Sequence, residues 1–245
     1  MTAHAGAGNP LAGKVAWITG AGRGIGRATA LALAERGVRV ALTGRTRAPL
    51  EALASEIERA GGEALAAPAD VGDEAALDAE ATAIGGRFAR LDILIVNAGT
   101  AVFRPVAATT IEDWDRMIRT NLTGAFLTVR AALALFGAEG GDIMTMVSVA
   151  GRRPYPNNGG YCASKYGLLG LTEVLRSELR PRRIRVTALI PGATDTPLWD
   201  EVGGSFDRSK MMRPEAVAAM IVAALSVDRS AAVEWLQMQP PGGGV

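Results

Sequence analysis

Seven short apolar runs alternate with longer stretches of helical periodicity along these 245 residues, and few folds satisfy that alternation. The runs cover residues 14–19, 38–43, 64–67, 91–96, 142–148, 184–190 and 233–238. Most of them are separated by helical stretches, at about 24–36, 49–60, 73–88, 111–136, 161–180 and 214–227. A helix between two strands returns the chain to start a parallel neighbour, and it covers one face of the sheet as it does so. The expected architecture is α/β: a seven-stranded parallel sheet, doubly wound, with helices on both faces. No linker, composition shift or internal repeat divides the chain, so residues 11–245 are expected to form a single domain. Residues 1–10 are expected to be a disordered N-terminal tail.

Composition removes several kinds of chemistry. The only cysteine is Cys162 and the only histidine is His4, so a cysteine metal site and a histidine triad are not expected. No metal is expected. The formal net charge of +1 gives nucleic acid or anionic membranes no global attraction. No apolar run approaches the ~18 residues of a membrane span, and no secretory leader is evident. A cytoplasmic location is the simplest expectation.

In an open parallel sheet, ligands sit beyond the carboxyl ends of the strands. The first strand leads into Thr19-Gly20-Ala21-Gly22-Arg23-Gly24-Ile25-Gly26, and a helix follows. Glycines let a backbone turn tightly and approach a pyrophosphate, and a helix N-terminus offers free N–H groups. The strict G-x-G-x-x-G pattern fails, but T-G-x-x-x-G-x-G fits through Gly20, Gly24 and Gly26. The alternative is a glycine-rich turn with no ligand. The second strand ends in Thr43-Gly44-Arg45-Thr46, with no acid to bond the ribose hydroxyls of NAD. Arg45, and Arg23 in the glycine loop, could instead pair with a 2′-phosphate. NADP(H) is therefore the preferred cofactor and NAD(H) a possible one, unless both arginines are merely solvated. Asp70-Val71 follows the third strand, where the acid either meets adenine or caps a helix, although Asp73 is better placed to cap. Asn97-Ala98-Gly99 ends the fourth strand, as a close approach to the ribose or as an ordinary turn.

Tyr161 and Lys165 are four residues apart at the start of a helical stretch, hence on one face. A nearby ammonium favours the phenolate, so the pair is expected to act as a tuned general acid. Ser148 lies thirteen residues upstream, at the end of the fifth run, and either holds the substrate oxygen or caps a turn. Asn121 interrupts the 111–136 stretch with a poor helix former. Its amide either bends the helix or holds a water beside Lys165. Asp113 and Asp115 are better read as helix N-terminal charge than as a metal or hydrolytic pair. Cys162 has no histidine to activate it as a nucleophile.

From about Leu11 to Met238 the chain resembles the short-chain dehydrogenase/reductase family, in its branch about 250 residues long. The glycine pattern, Asp70, Asn97-Ala98-Gly99, Asn121, Ser148, Tyr161 with Lys165, and Pro191-Gly192-Ala193-Thr194-Asp195-Thr196 fall in the family's order. One departure is Val96, where the family often has a first asparagine.

The resemblance implies a Rossmann-type domain and a role for each position. Tyr161 would transfer the proton, Ser148 would place the carbonyl, and Lys165 would hold the nicotinamide ribose and lower the tyrosine pKa. Asn121 would anchor a relay water. Ile190 and Thr196 would bind the carboxamide, Asp70 and Val71 the adenine, and Asn97 the adenosine side. Further cofactor contacts are expected from Ile25, Ala98, Gly99, Pro191, Gly192 and Thr194. The implied reaction interconverts a ketone or aldehyde and an alcohol, and the implied assembly is a homotetramer or homodimer.

Ala150, Tyr155, Asn158 and Trp199 are candidates for the substrate pocket. Its mostly uncharged lining would suit a neutral carbonyl, while Arg152 and Arg153 keep an acidic substrate open. Met211 and Met212 are either pocket or core. An isomerase or lyase with bound nicotinamide, and a non-catalytic cofactor-binding protein, are the competing readings.

Overall fold

The computed structural model describes residues 9–203 and 205–243. Residues 1–8 of the expected tail lie outside them. Asn9 is anchored: its amide donates to the Arg36 carbonyl at 2.6 Å and accepts from the Leu11 N–H at 3.1 Å.

The described residues form seven parallel strands in one sheet. They are β1 (Val15–Thr19), β2 (Arg39–Gly44), β3 (Ala64–Pro68), β4 (Ile93–Val96), β5 (Gly141–Met146), β6 (Ile184–Pro191) and β7 (Trp235–Met238). Their order is β3-β2-β1-β4-β5-β6-β7. The direction of winding reverses between β1 and β4, and a crevice opens there beyond the strand ends.

Helices cover both faces, so the strands are buried on both sides and read as continuous apolar runs. On one face lie α1 (Gly24–Ala34), α2 (Arg47–Arg59) and α8 (Pro214–Leu225), packed on Ala16, Ile18, Val40, Leu42, Ile93 and Ile95. The other face holds α3 (Glu74–Phe88), α5 (Gly124–Ala132) and α6 (Gly159–Leu179), packed on Val15, Trp17, Leu94, Val96, Val186 and Ile190. The alternation along β1 and β4 is the period-2 pleat. Among the described residues no helix is long and apolar enough to cross a membrane.

The helix expected over 111–136 is not continuous. α4 (Ile111–Ile118) gives way to a π-turn over Arg119–Thr123, then α5, then a 3-10 turn over Leu133–Leu135. The cause is tertiary. Asn121 Nδ2 donates to the Thr100 carbonyl at 2.9 Å, and its Oδ1 accepts from the Thr100 N–H at 2.8 Å. Those bonds pin Asn121 inward, and Gly124 packs so close that a Cβ there would lie 2.7 Å from Val71 Cγ2. One extra residue in the turn satisfies both constraints.

A buried polar chain crosses the second face. Trp17 Nε1 donates to Thr43 Oγ1 at 2.8 Å, and Thr43 Oγ1 donates to Glu80 Oε2 at 2.6 Å. Burial pushes the Glu80 carboxyl up from 4.5 to about 7, against the lowering by the Thr43 bond. The folded state therefore holds a proton between those pH values that the unfolded chain has lost, and stability falls as pH rises through them. At about 1.4 kcal/mol per pH unit the full effect is roughly 3 kcal/mol. Thermal unfolding should show the wild type losing stability relative to Glu80→Gln between pH 5 and pH 8. Parallel pH profiles for the two proteins would contradict the buried neutral acid.

Candidate active site

The glycine loop is built by contacts that admit no side chain. Gly20 and Gly24 have φ of +67° and +56°, a region that favours glycine. A Cβ on Gly24 would lie 3.1 Å from Thr196 Cγ2, so the late loop closes directly on the glycine turn. A Cβ on Gly26 would be driven into the Gly20 carbonyl oxygen. Asn97 ties the two strand ends together: Nδ2 donates to the Thr19 carbonyl at 2.8 Å and the Gly20 carbonyl at 3.2 Å. Thr19 Oγ1 accepts from the N–H groups of Asn97 and Ala98. Val96, at the family's other asparagine position, is buried in the core. No side chain caps the start of α1, so its first N–H groups remain free for an anion.

From this loop a cleft of about 760 Å³ runs across the strand ends. Gly20, Arg23, Gly24, Ile25, Arg45, Asp70 and Val71 line one part of it. Asn97, Ala98, Gly99, Pro191, Gly192, Thr194 and Thr196 line the middle. A Cβ on Gly99 would approach Asn121 Oδ1 and Lys165 Nζ at 3.4 and 3.7 Å. That bare glycine floor, ending at an amine, fits a dinucleotide.

Three expected cofactor or catalytic positions stand behind the walls. Gly26 supports the loop from one turn inside α1. Ile190 is fully buried in the core, because alternation along β6 turns it toward α6 with Val186 and Ala188. Asn121 is 1% exposed; both its amide protons are committed, to Thr100 and to Ser164 Oγ at 2.9 Å. It lies under Gly99, on the same side as Lys165. Asp70 accepts from the Gly72 N–H at 2.8 Å, a local turn, while Asp73 caps α3.

Tyr161, Lys165 and Ser148 all face the cleft. Tyr161 and Lys165 lie in the first turns of α6, with Nζ 5.7 Å from the phenol ring centroid. The expected lowering of the tyrosine pKa is not what this arrangement produces. Burial pushes the phenol up to about 12, and the Ser148 hydroxyl draws it down only in part. Burial also pushes Lys165 down to about 7. Withdrawal from water penalises the charged form of both groups. The ammonium is moreover turned to the Met146 carbonyl, 2.7 Å away. Tyr161 is thus held as a neutral acid. Ser148 Oγ accepts from the Ala150 N–H at 3.1 Å, which fixes its oxygen and leaves its own proton to donate.

Ala150, Tyr155, Asn158 and Trp199 all line the cleft. Two further aromatic walls carry no motif. Phe103 lies edge-on to Tyr161 and to Trp199, each at 5.9 Å between centroids. Phe206 meets Trp199 at 4.6 Å. Phe103 was findable as a large apolar residue just past the end of β4, and Phe206 as one inside the late loop. Trp199, on α7 (Leu198–Glu201), is held by its indole N–H bond to the Thr194 carbonyl at 2.9 Å.

Arg152 and Arg153 do not line the cleft. Arg152 bonds Gln237 at 2.9 Å and stacks on Trp235, and Arg153 bonds the Tyr155 hydroxyl. Met211 is buried and Met212 packs on the α1/α8 core, so the methionine pair is not pocket wall. Asp113 sits in the first turn of α4, as its charge at a helix N-terminus would favour. Cys162 is buried.

The profile of the short chain dehydrogenase family matches residues 14–205. The chain is 35% identical over 237 residues to sepiapterin reductase of Chlorobaculum tepidum, covering 93% of this chain and 96% of that protein. An alcohol dehydrogenase from the archaeon Thermococcus sibiricus, solved with 5-hydroxy-NADP, superposes with a TM-score of 0.87 at 30% identity, covering 93% of this chain and 97% of that one. Carveol dehydrogenase from Mycobacterium avium, solved with NAD, gives 0.86 at 28% identity, covering 94% and 97%. Glycine cradle, tyrosine–lysine helix and whole-chain likeness agree: the chain belongs to the short-chain dehydrogenase/reductase family and is an NAD(P)-dependent enzyme of it.

Proposed function

We propose that the protein is an NADP(H)-preferring oxidoreductase that interconverts a ketone or aldehyde and its alcohol, with Tyr161 as general acid and base. The observation that carries this reading is the neutral phenol of Tyr161 beside Ser148, at the aromatic end of a glycine-floored cleft. A bound nicotinamide supplies or takes up the hydride. In reduction, Ser148 donates to the carbonyl oxygen and Tyr161 hands that oxygen its proton. Lys165 places a cation under the same end of the cleft at and below about pH 7. Phe103, Trp199 and Phe206 exclude water and favour an apolar substituent.

A panel of aryl and cyclic ketones, with and without an acidic side chain, followed by NADPH absorbance, tests the reaction. One NADPH should disappear per alcohol formed. Product without net NADPH loss would make the enzyme an isomerase or lyase. Tight NADPH binding with no turnover of any carbonyl would make it a binding protein.

NADP(H) preference rests on Arg45, which lines the cleft at the end of β2 where no acid stands. Arg23 is paired with Glu201 at 2.5 Å, so Arg45 is the freer of the two for a 2′-phosphate. Arg45→Asp should weaken NADPH about tenfold or more relative to NADH, the worth of a charge-assisted contact. Equal weakening of both cofactors would remove Arg45 from phosphate recognition.

We also infer assembly as a homotetramer or homodimer through α4/α5 and α6. Phe126, Tyr166 and Val174 leave apolar surface exposed on these helices. A cytoplasmic location completes the proposal.

A further inference from the structure

Phe103, Asn157, Val202 and Phe206 are walls of the cleft and also of a second hollow, about 370 Å³ in volume. Arg104 and Arg116 complete that hollow. Both guanidiniums share one carboxylate. Arg104 Nη1 is 3.1 Å from Asp113 Oδ2, and Arg116 Nη2 is 2.8 Å from Asp113 Oδ1. Two cations against one anion leave a surplus positive charge. Glu201 is also on the rim, but its carboxylate is answered by Arg23. The two arginine side chains are half exposed, while Asp113 is largely covered, so N–H donors remain available beyond the Asp113 bonds.

The chain presenting Arg104 is held in place. Its backbone N–H donates to the Asn157 carbonyl at 2.6 Å, and Arg104 forms a parallel bridge with Asn158 at the start of α6. One short segment therefore carries both an aromatic ring against the reacting phenol, Phe103, and a cation in the adjoining hollow, Arg104.

The geometry points to a subsite for an anionic group at the far end of the carbonyl substrate. The carbonyl lies at Tyr161 and Ser148, an apolar middle lies against Phe103 and Phe206, and a carboxylate or phosphate ends at Arg104 and Arg116. The substrate class is a keto or aldehyde compound whose anionic end is several bonds from the reacting carbon. This deepens the carbonyl reading above and rests on it for the position of the reacting end.

The test uses NADP-saturated protein and aryl methyl ketones with a para alkanoate chain of one to four carbons. Each is compared with its neutral primary amide and with the corresponding alkyl phosphate, first by calorimetric binding and then by turnover. At least one acid should bind ten times or more tightly than its amide, and added salt should shrink that ratio. The ratio should fall to about one in the Arg104→Gln/Arg116→Gln double variant and survive largely in Arg116→Lys, which keeps the charge. Whichever of carboxylate and phosphate shows the larger ratio identifies the anion. Equal binding of acids, phosphates and amides by the wild type at every chain length overturns the subsite. So does an acid preference that persists in the double variant while its thermal unfolding shows it folded. Binding decides the subsite and turnover decides the reaction, so a loss of one is not mistaken for a loss of the other.

Discussion

Tyr161→Phe should leave a folded protein that binds NADPH and turns over its carbonyl substrate about 10²–10⁴ times more slowly, the usual worth of a positioned general acid. The substitution removes one hydroxyl and keeps the ring that lies edge-on to Phe103. Cofactor affinity and thermal stability should therefore change little, and the loss should fall on kcat. The pH behaviour is the second arm. Because the phenol is held up to about 12, its proton is present through the neutral and moderately alkaline range, and reduction should show no loss from Tyr161 titration there. Alcohol oxidation needs the deprotonated form, so its kcat should climb as pH rises. Ser148 lowers the phenol pKa only partly, so Ser148→Ala should move that climb to higher pH as well as weaken placement of the carbonyl. A Phe variant with wild-type kcat, or an oxidation rate that is flat with pH, would remove Tyr161 from the proton transfer.

The strands were legible because burial on both faces leaves few residues to disguise them. The Leu42, Ile95 and Val186 runs are apolar whichever way their side chains point. The same alternation also sets which face each side chain takes. Counting by two from Val186 through Ala188 puts Ile190 in the core beneath α6, and so off the cleft wall. Other features were beyond any local pattern. The break in the 111–136 helix comes from bonds between Asn121 and Thr100, twenty-one residues apart. The tyrosine pKa rises because burial outweighs every neighbour, and burial is a property of the assembled cleft. Motif spacing singled out Tyr161, Lys165 and Ser148, and all three line the cleft. The aromatic walls at Phe103 and Phe206 had no spacing to announce them, since loops carry both rings into the cleft.

Gly26→Ala should weaken NADPH binding about a hundredfold, roughly 2.7 kcal/mol, without adding or removing any group that lines the cleft. The new methyl would collide with the Gly20 carbonyl oxygen and lie 2.5 Å from Asn97 Nδ2. Neither neighbour yields easily. Gly20 is at positive φ, and Asn97 is bonded to the carbonyls of Thr19 and Gly20. Forced overpacking of this kind typically costs about 1–3 kcal/mol, and relieving it means moving the turn away from α1. The cost should therefore appear twice, as a lower unfolding temperature and as a weaker Kd. Gly86→Ala is the matched control, because a Cβ on that α3 residue meets nothing within 4 Å. It should leave Kd unchanged and hold or raise stability by up to about 1 kcal/mol, the helix preference of alanine over glycine. If Gly26→Ala bound NADPH as tightly as the wild type, the close approach of α1 to the Gly20 carbonyl would not be what shapes the phosphate cradle.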